Sequence, residues 1–243
     1  MKLQNKVALV TGGSAGIGRA AAKALAAEGA HVYITGRRQE ELDAALDEIG
    51  PGATALRADA ADLADIERVI GIIRERSGRL DVIVPNAGMY EMQMLAEVTE
   101  ASFDQAFALN VRGVLFTVQK ALGLLQDGAS IVLIGSMGAS KGFAGFSVYA
   151  ATKASIRSFA RSWAAELKER KIRVNVVSPG PVETPGFFSF ADDAMRAALA
   201  GMIPLGRVAQ PSEIAKAIVY LATDDSSFVN GIELAVDGGV TQL

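Results

Sequence analysis

Short apolar runs alternate with longer amphipathic stretches along most of the chain. Lys6–Thr11, His31–Thr35, Ala53–Ala58, Leu80–Pro85, Ser130–Gly135, Ile172–Val177 and Gly231–Val236 read as strands. Gly16–Glu28, Gln39–Ile49, Asp62–Ser77, Ser102–Leu125, Val148–Arg170 and Pro211–Ala222 repeat apolar residues at helical spacing, the last with proline at its first turn. The strand runs lack polar alternation, so each is covered on both faces. Strands that alternate with helices predict an α/β fold, a doubly wound Rossmann sheet of about seven parallel strands flanked by helices. Gly180–Arg207 breaks the rhythm with Pro, Gly and Phe, and a long excursion of this kind predicts a functional lid over roughly residues 184–207. No linker, repeat or composition break divides the chain, so residues 1–243 are expected to form one domain.

The first strand runs into Thr11-Gly12-Gly13-Ser14-Ala15-Gly16-Ile17-Gly18, and a helix follows at once. A tight turn there aims the free N–H groups and positive dipole end of the helix at whatever lies beyond the strand, a setting that favours phosphate. Gly12 permits the turn, Gly16 admits a pyrophosphate, and Gly18 lets the helix pack closely. Ser14 and Ile17 belong to the same candidate dinucleotide cradle.

The end of the second strand separates the two dinucleotides. A site for NAD usually carries an acid there for the ribose 2′-hydroxyl. Here the residues are Gly36-Arg37-Arg38. Guanidinium groups suit a 2′-phosphate, so NADP(H) is the expected cofactor and NAD(H) the alternative, with Arg37 the first contact and Arg38 the second. Asp59 and Ala60 follow the third strand, where Asp59 would accept from the adenine amino group. Asn86, Ala87 and Gly88 follow the fourth and would lie against the cofactor.

Composition narrows the partners. Half of the 243 residues are hydrophobic and the net charge is −3, so the chain is globular and has no basic excess for nucleic acid. There is no cysteine, which excludes disulfides, thiolate metal sites and a cysteine nucleophile. With a single histidine, His31, no metal site is expected, and His31 reads as a strand residue with a satisfied hydrogen bond. No apolar run reaches the roughly 20 residues of a membrane helix. The N-terminus has no signal-peptide pattern, so a cytoplasmic protein without membrane contact is expected.

Tyr149-Ala150-Ala151-Thr152-Lys153 opens a helix and puts a phenol and an ammonium on one face. Ser136 ends the fifth strand close by, and Asn110 sits inside a predicted helix, where asparagine is unfavourable and needs a reason. A hydride delivered to a carbonyl carbon leaves charge on the oxygen, which needs a proton and a hydrogen bond. Free tyrosine has a pKa of about 10, and a neighbouring ammonium and a cationic nicotinamide would favour its phenolate.

With these residues together, the chain resembles the short-chain dehydrogenase/reductase family over essentially its whole length. The resemblance rests on Thr11-Gly12-x-x-x-Gly16-x-Gly18, Asn86-Ala87-Gly88, Asn110, Ser136, Tyr149-x-x-x-Lys153 and Pro179-Gly180 followed by Thr184. It implies that Tyr149 is the acid/base and that Lys153 binds the nicotinamide ribose and lowers the pKa of Tyr149. It implies that Ser136 holds the substrate oxygen and that Asn110 orders a water in a relay to Lys153. Pro179, Gly180, Val182 and Thr184 would line the nicotinamide, with Thr184 at its carboxamide, and Asn175 would be a structural polar residue. The family pattern also implies a homotetramer with Gly238–Leu243 near an interface. One departure is Pro85, where a second asparagine is common. Proline lacks an N–H, so a local change is expected there.

Met89, Tyr90, Met137, Phe143, Phe146, Phe187, Phe188 and Phe190 are candidate substrate-pocket residues. Lys141 and Arg207 are the nearby cations in sequence. An apolar or aromatic ketone or aldehyde is therefore expected, making the protein a carbonyl reductase or alcohol dehydrogenase. The alternatives are a 3-oxoacyl-carrier-protein reductase, which needs a basic surface for its acidic carrier, and a nucleotide-sensing Rossmann protein. A sensor has no need for Ser136, Tyr149 and Lys153 together.

Overall fold

The structure, a computed structural model, describes residues 1–243, the side chain of Phe190 excepted. The elements run β1 (Val7–Thr11), α1 (Gly16–Ala27), β2 (His31–Gly36), α2 (Gln39–Ile49), β3 (Ala53–Arg57), α3 (Leu63–Arg76) and β4 (Leu80–Pro85). They continue with α4 (Glu100–Phe107), a π-helical turn over Ala108–Gly113, α5 (Val114–Ala121), β5 (Leu125–Ile134), α6 (Ser147–Glu166) and β6 (Arg173–Pro179). The chain ends with α7 (Pro185–Phe190), α8 (Asp193–Met202), α9 (Pro211–Ala222) and β7 (Glu233–Val236). Seven parallel strands form one sheet in the order β3-β2-β1-β4-β5-β6-β7. The order reverses between β1 and β4, which opens a crevice at their carboxyl ends where such sheets bind ligands.

The apolar strand runs follow from burial on both faces. Val7 and Leu9 of β1 join one core layer with Ile66, Val69 and Ile73 of α3 and Ile156 of α6. Ala8 and Val10 join the other, with Leu25 of α1, Leu42 of α2 and Ile218 of α9. Each fully buried Val, Leu or Ile contributes about 1.5–3 kcal/mol relative to exposure. A third, smaller cluster joins Phe187, Ala191, Ile203, Val208 and Val240 beneath the excursion after β6. No helix among the described residues is long and apolar enough to cross a membrane.

Most expected boundaries hold within a residue or two; the expected helix Val148–Arg170 instead ends at Glu166, with Lys168–Arg170 in a 3₁₀ turn, and three further stretches differ for physical reasons. The expected helix Ser102–Leu125 starts earlier, because the Thr99 hydroxyl accepts the Ser102 N–H at 3.1 Å and caps α4. It is interrupted by the π-turn and stops at Ala121. The β5 span starts at Leu125, but its register against β4 shifts between Leu80 and Val82, and regular pairing begins at Ser130. The excursion Gly180–Arg207 is not irregular throughout. Thr184 caps α7, with Pro185 in the first turn, and Asp192 caps α8.

Pro85 keeps its place in the sheet. It ends β4 in register with Thr11, and the N–H of the next residue but one, Ala87, takes up the Thr11 hydroxyl at 3.1 Å.

At the amino-terminal ends of the strands, Asp81 ties β1 to β4. It is 5% exposed and accepts from the Val7 N–H at 2.9 Å, from Arg79 at 2.5 and 3.0 Å and from Lys6 at 3.3 Å. Burial alone would raise its pKa, but the Arg79 pair, the Val7 amide and Lys6 outweigh burial and hold it below the usual carboxylate range. Asp81→Ala leaves the Val7 N–H without this acceptor and should cost about 1–3 kcal/mol, read as a lower urea midpoint. A lowered folded pKa stabilises above the unfolded value of about 4 and is lost as pH falls through the folded value. The gap between wild type and variant should therefore narrow in acid, and a gap that persists below that range overturns this reading.

Candidate active site

The turn between β1 and α1 forms one wall of the crevice. Gly12 and Gly16 have φ of +63° and +53°, a region that L side chains rarely enter. A Cβ on Gly18 would stand 2.2 Å from the Gly12 carbonyl oxygen, so α1 packs onto the turn only with glycine there. The N-cap, Ala15, offers no side-chain acceptor, and the first N–H groups of α1 remain for a ligand. This cradle of bare backbone donors fits a pyrophosphate. Ile17, from the same turn, lines the cavity described below.

The loop after β4 is stitched to that turn. Asn86 Nδ2 donates to the Thr11 and Gly12 carbonyls at 3.0 and 3.1 Å. Thr184 faces the turn from the opposite side, with its Cγ2 3.1 Å from where a Cβ on Gly16 would sit. Its hydroxyl already accepts the Phe187 N–H at 3.1 Å. Gly180 allows the end of β6 to lie against Asp237, where a Cβ would come within 2.8 Å. Val182 pairs with Ala209, and Pro179, Gly180 and Val182 all line the cavity. Asn175 is structural, as expected, with its amide bonded to the backbone of Val229 and Ile232. His31 bonds Thr54 at 3.0 Å, also as expected.

The carboxyl ends of β2 and β3 gather charge. Among the described residues, no hydrogen bond or ion pair holds the Arg37 guanidinium, whereas Arg38 pairs with Glu41. Arg57 Nε donates to the Arg37 carbonyl oxygen at 3.1 Å, which sets a second guanidinium beside Arg37. Asp59 lies just beyond β3, where its Oδ1 accepts the Ala61 N–H at 2.9 Å, and Ala60 packs its carbonyl against Gly113.

The catalytic candidates meet where β4, β5 and α6 converge. Lys153 is 6% exposed, and its Nζ donates to the Ile134 carbonyl at 2.9 Å. The same Nζ lies 5.8 Å from the centroid of the Tyr149 ring. Ser136 is 8% exposed, and its Oγ accepts the Gly138 N–H at 3.1 Å. Asn110 is fully buried in the π-turn. Its Oδ1 accepts the Met89 N–H at 2.8 Å, and its Nδ2 donates to the Met89 carbonyl at 2.7 Å and to Thr152 Oγ1 at 3.1 Å. Thr152 in turn donates to the Tyr149 carbonyl at 2.7 Å. Asn110 therefore locks the β4 loop to the helix turn that carries Tyr149 and Lys153, which is the reason its helical position required.

Burial raises the Tyr149 phenol above its ordinary pKa, and the Ser136 hydroxyl pulls it partly back. The lowering expected from Lys153 is therefore not found in the free protein, where burial dominates and the opposing influence comes from Ser136. Burial also lowers Lys153 to about 8.

Ser136, Tyr149 and Lys153 form one wall of a cavity of about 450 Å³ whose lining is otherwise mostly apolar. Met89, Tyr90, Met137, Phe143, Phe146 and Phe187 line it, as the sequence suggested. The rings of Tyr90 and Phe146 meet Tyr149 edge to face at 6.0 and 6.3 Å. Phe188 is half exposed and packs against Arg196 instead. The side chain of Phe190 lies outside the described residues.

A family model described as enoyl-(acyl carrier protein) reductase matches residues 12–241. Oxidoreductase asL5 of Sarocladium schorii is 41% identical, over 100% of this chain and 98% of that protein. The chain belongs to the short-chain dehydrogenase/reductase family. It is accordingly an oxidoreductase, in a family that binds nicotinamide cofactors. The 3-oxoacyl-(acyl-carrier-protein) reductase FabG of Thermotoga maritima is 36% identical over 99% of both chains. The solved structure of a blue fluorescent protein from a metagenomic library in complex with NADPH is 35% identical, with a TM-score of 0.93 over 99% of both chains.

Sequence reasoning missed several residues of this short-chain dehydrogenase/reductase site. Met92, Met195 and Leu199 complete the cavity, and Arg57 joins Arg37. The helix Asp193–Met202 had a sequence signal, because its cap, Asp192, precedes an apolar-periodic run. Nothing local marked Met92 or Arg57, whose roles come from chain crossings.

Proposed function

We propose that the protein reduces the carbonyl of an apolar or aromatic ketone or aldehyde with NADP(H), or runs the reverse oxidation. The observation that carries this reading is the convergence of Ser136, Tyr149 and Lys153 on one wall of an otherwise mostly apolar cavity beside the glycine turn. The bare backbone donors of that turn fit the cofactor pyrophosphate, and the unengaged Arg37, with Arg57 beside it, fits a 2′-phosphate.

A bound nicotinamide supplies the hydride for the carbonyl carbon. Ser136 donates a hydrogen bond to the substrate oxygen, and Tyr149 releases its proton to that oxygen as negative charge develops. The raised pKa of Tyr149 keeps the phenol protonated at neutral pH, the form that reduction requires. The Lys153 ammonium stabilises the phenolate that remains. With a pKa of about 8, Lys153 exchanges protons close to neutrality. A Cβ on Gly88 would stand 3.3 Å from Asn110 Oδ1 and 3.6 Å from Lys153 Nζ, so glycine keeps a side chain from crowding the two polar groups that the relay would join. Residues 184–207, with α7 and α8, act as the lid through Phe187, Met195 and Leu199. The open edge of β7 and the exposed Phe228 and Leu243 support a homotetramer.

The FabG relative favours a second reading, reduction of a 3-oxoacyl group on a carrier protein. The cations that would receive an acidic carrier are engaged, Lys141 with the Val240 carbonyl and Arg207 with Glu213, which leaves the free ketone or aldehyde as the better reading.

A panel of aryl ketones, aldehydes and a 3-oxoacyl thioester, followed by NADPH absorbance, tests the substrate class. Turnover of the thioester alone favours the second reading. No turnover of any carbonyl with NADPH still bound favours a nucleotide sensor. Tyr149→Phe should cut kcat by about 10²–10⁴-fold with NADPH affinity nearly unchanged by fluorescence titration, and activity within tenfold of wild type removes Tyr149 as the acid. Arg37→Ala should weaken NADPH binding by about 10–100-fold and leave NADH nearly untouched, and equal losses remove the 2′-phosphate contact.

A further inference from the structure

The end of β2 lacks the acid that accepts a ribose 2′-hydroxyl, but the fold supplies one from the next helix. Glu41 lies in the first turn of α2, and its carboxylate reaches back to the glycine turn, with Oε2 3.5 Å from Ser14 Oγ. The other carboxylate oxygen pairs with Arg38. Ser14 itself closes over the end of β2, its Oγ 2.9 Å from where a Cβ on Gly36 would stand. A carboxylate, a hydroxyl and the Arg37–Arg38 pair thus share one patch at the carboxyl end of β2. Arg38 is 72% exposed and already committed to Glu41, which leaves Arg37 to meet a 2′-phosphate.

We infer that Glu41 sets the dinucleotide selectivity of this site: it opposes a 2′-phosphate by like charge and offers an acceptor oxygen to an unphosphorylated ribose, so that the protein accepts both NADP(H) and NAD(H). The inference rests on the dinucleotide reading of the glycine turn. Its reach is short and partly screened by solvent, since Glu41 is 37% exposed. An exposed ion pair at i,i+3 adds little stability. Holding Arg38 also withdraws that guanidinium from a 2′-phosphate, so the ion pair and the Glu41 charge act on selectivity in the same direction.

Glu40 gives the control. It is exposed in the same first turn and carries the same charge. Wild type, Glu41→Gln and Glu40→Gln are titrated calorimetrically with adenosine 2′,5′-bisphosphate and with 5′-AMP. The ratio of the two dissociation constants should shift toward the bisphosphate by about tenfold in Glu41→Gln, and by less than about twofold in Glu40→Gln. The shift should shrink at high salt. An unchanged ratio in Glu41→Gln, or an equal shift in both variants, overturns the assignment while the dinucleotide reading stands. Failure of wild type to bind either probe overturns the dinucleotide reading and the assignment with it.

Discussion

The Lys153 ammonium is buried at the junction of helix and sheet, and its bond to the Ile134 carbonyl spans that junction. A buried charge without a partner would be costly, so the bond holds α6 at a fixed height above the end of β5. Ser136 lies two residues beyond Ile134, and Tyr149 lies one helical turn before Lys153. This contact helps to set the spacing between hydroxyl and phenol, which also bond to each other. Asn110 secures the same helix turn from the other side through Thr152. The site tolerates little slack, because both ties are backbone-anchored and buried.

The second organising feature is that the functional loops leave the same edge of one parallel sheet. Thr11, Asn86, Ser136 and Pro179 end or follow β1, β4, β5 and β6. Asn86 holds the first two of these exits together, and Gly180 brings the last against Asp237. Charge is gathered on the β2–β3 side and apolar surface on the β5–β6 side. A molecule lying across the switch point would meet ionic contacts at one end and dispersion contacts at the other.

Much of this was legible in the sequence, and the exceptions have a common cause. The strands were readable because burial on both faces leaves unbroken apolar runs, and the limits of β4 and α9 agree residue for residue with their patterns. Ser136, Tyr149 and Lys153 lie close to each other in the chain, so spacing and one strand end suffice to bring them together. Asn110 announced itself as a polar residue in a helical stretch, but its bonding to Met89 and Thr152 depends on packing between distant segments. Glu41 and Arg57 carried no sequence signal at all, since charged residues at helix starts and strand ends are ordinary. Their interest comes only from what the turn after β1 and the end of β2 place beside them.

The π-turn has a further consequence. A helix that carries one surplus residue is out of phase with itself on the two sides of the insertion. Excising that residue would restore regular winding but rotate α4 by about 100° relative to α5, and the loop after β4 would lose its brace. The wider turn is thus a phase correction. It lets one continuous rod present its α5 side chains to the core while Asn110 faces α6, an alignment that unbroken helical periodicity does not provide.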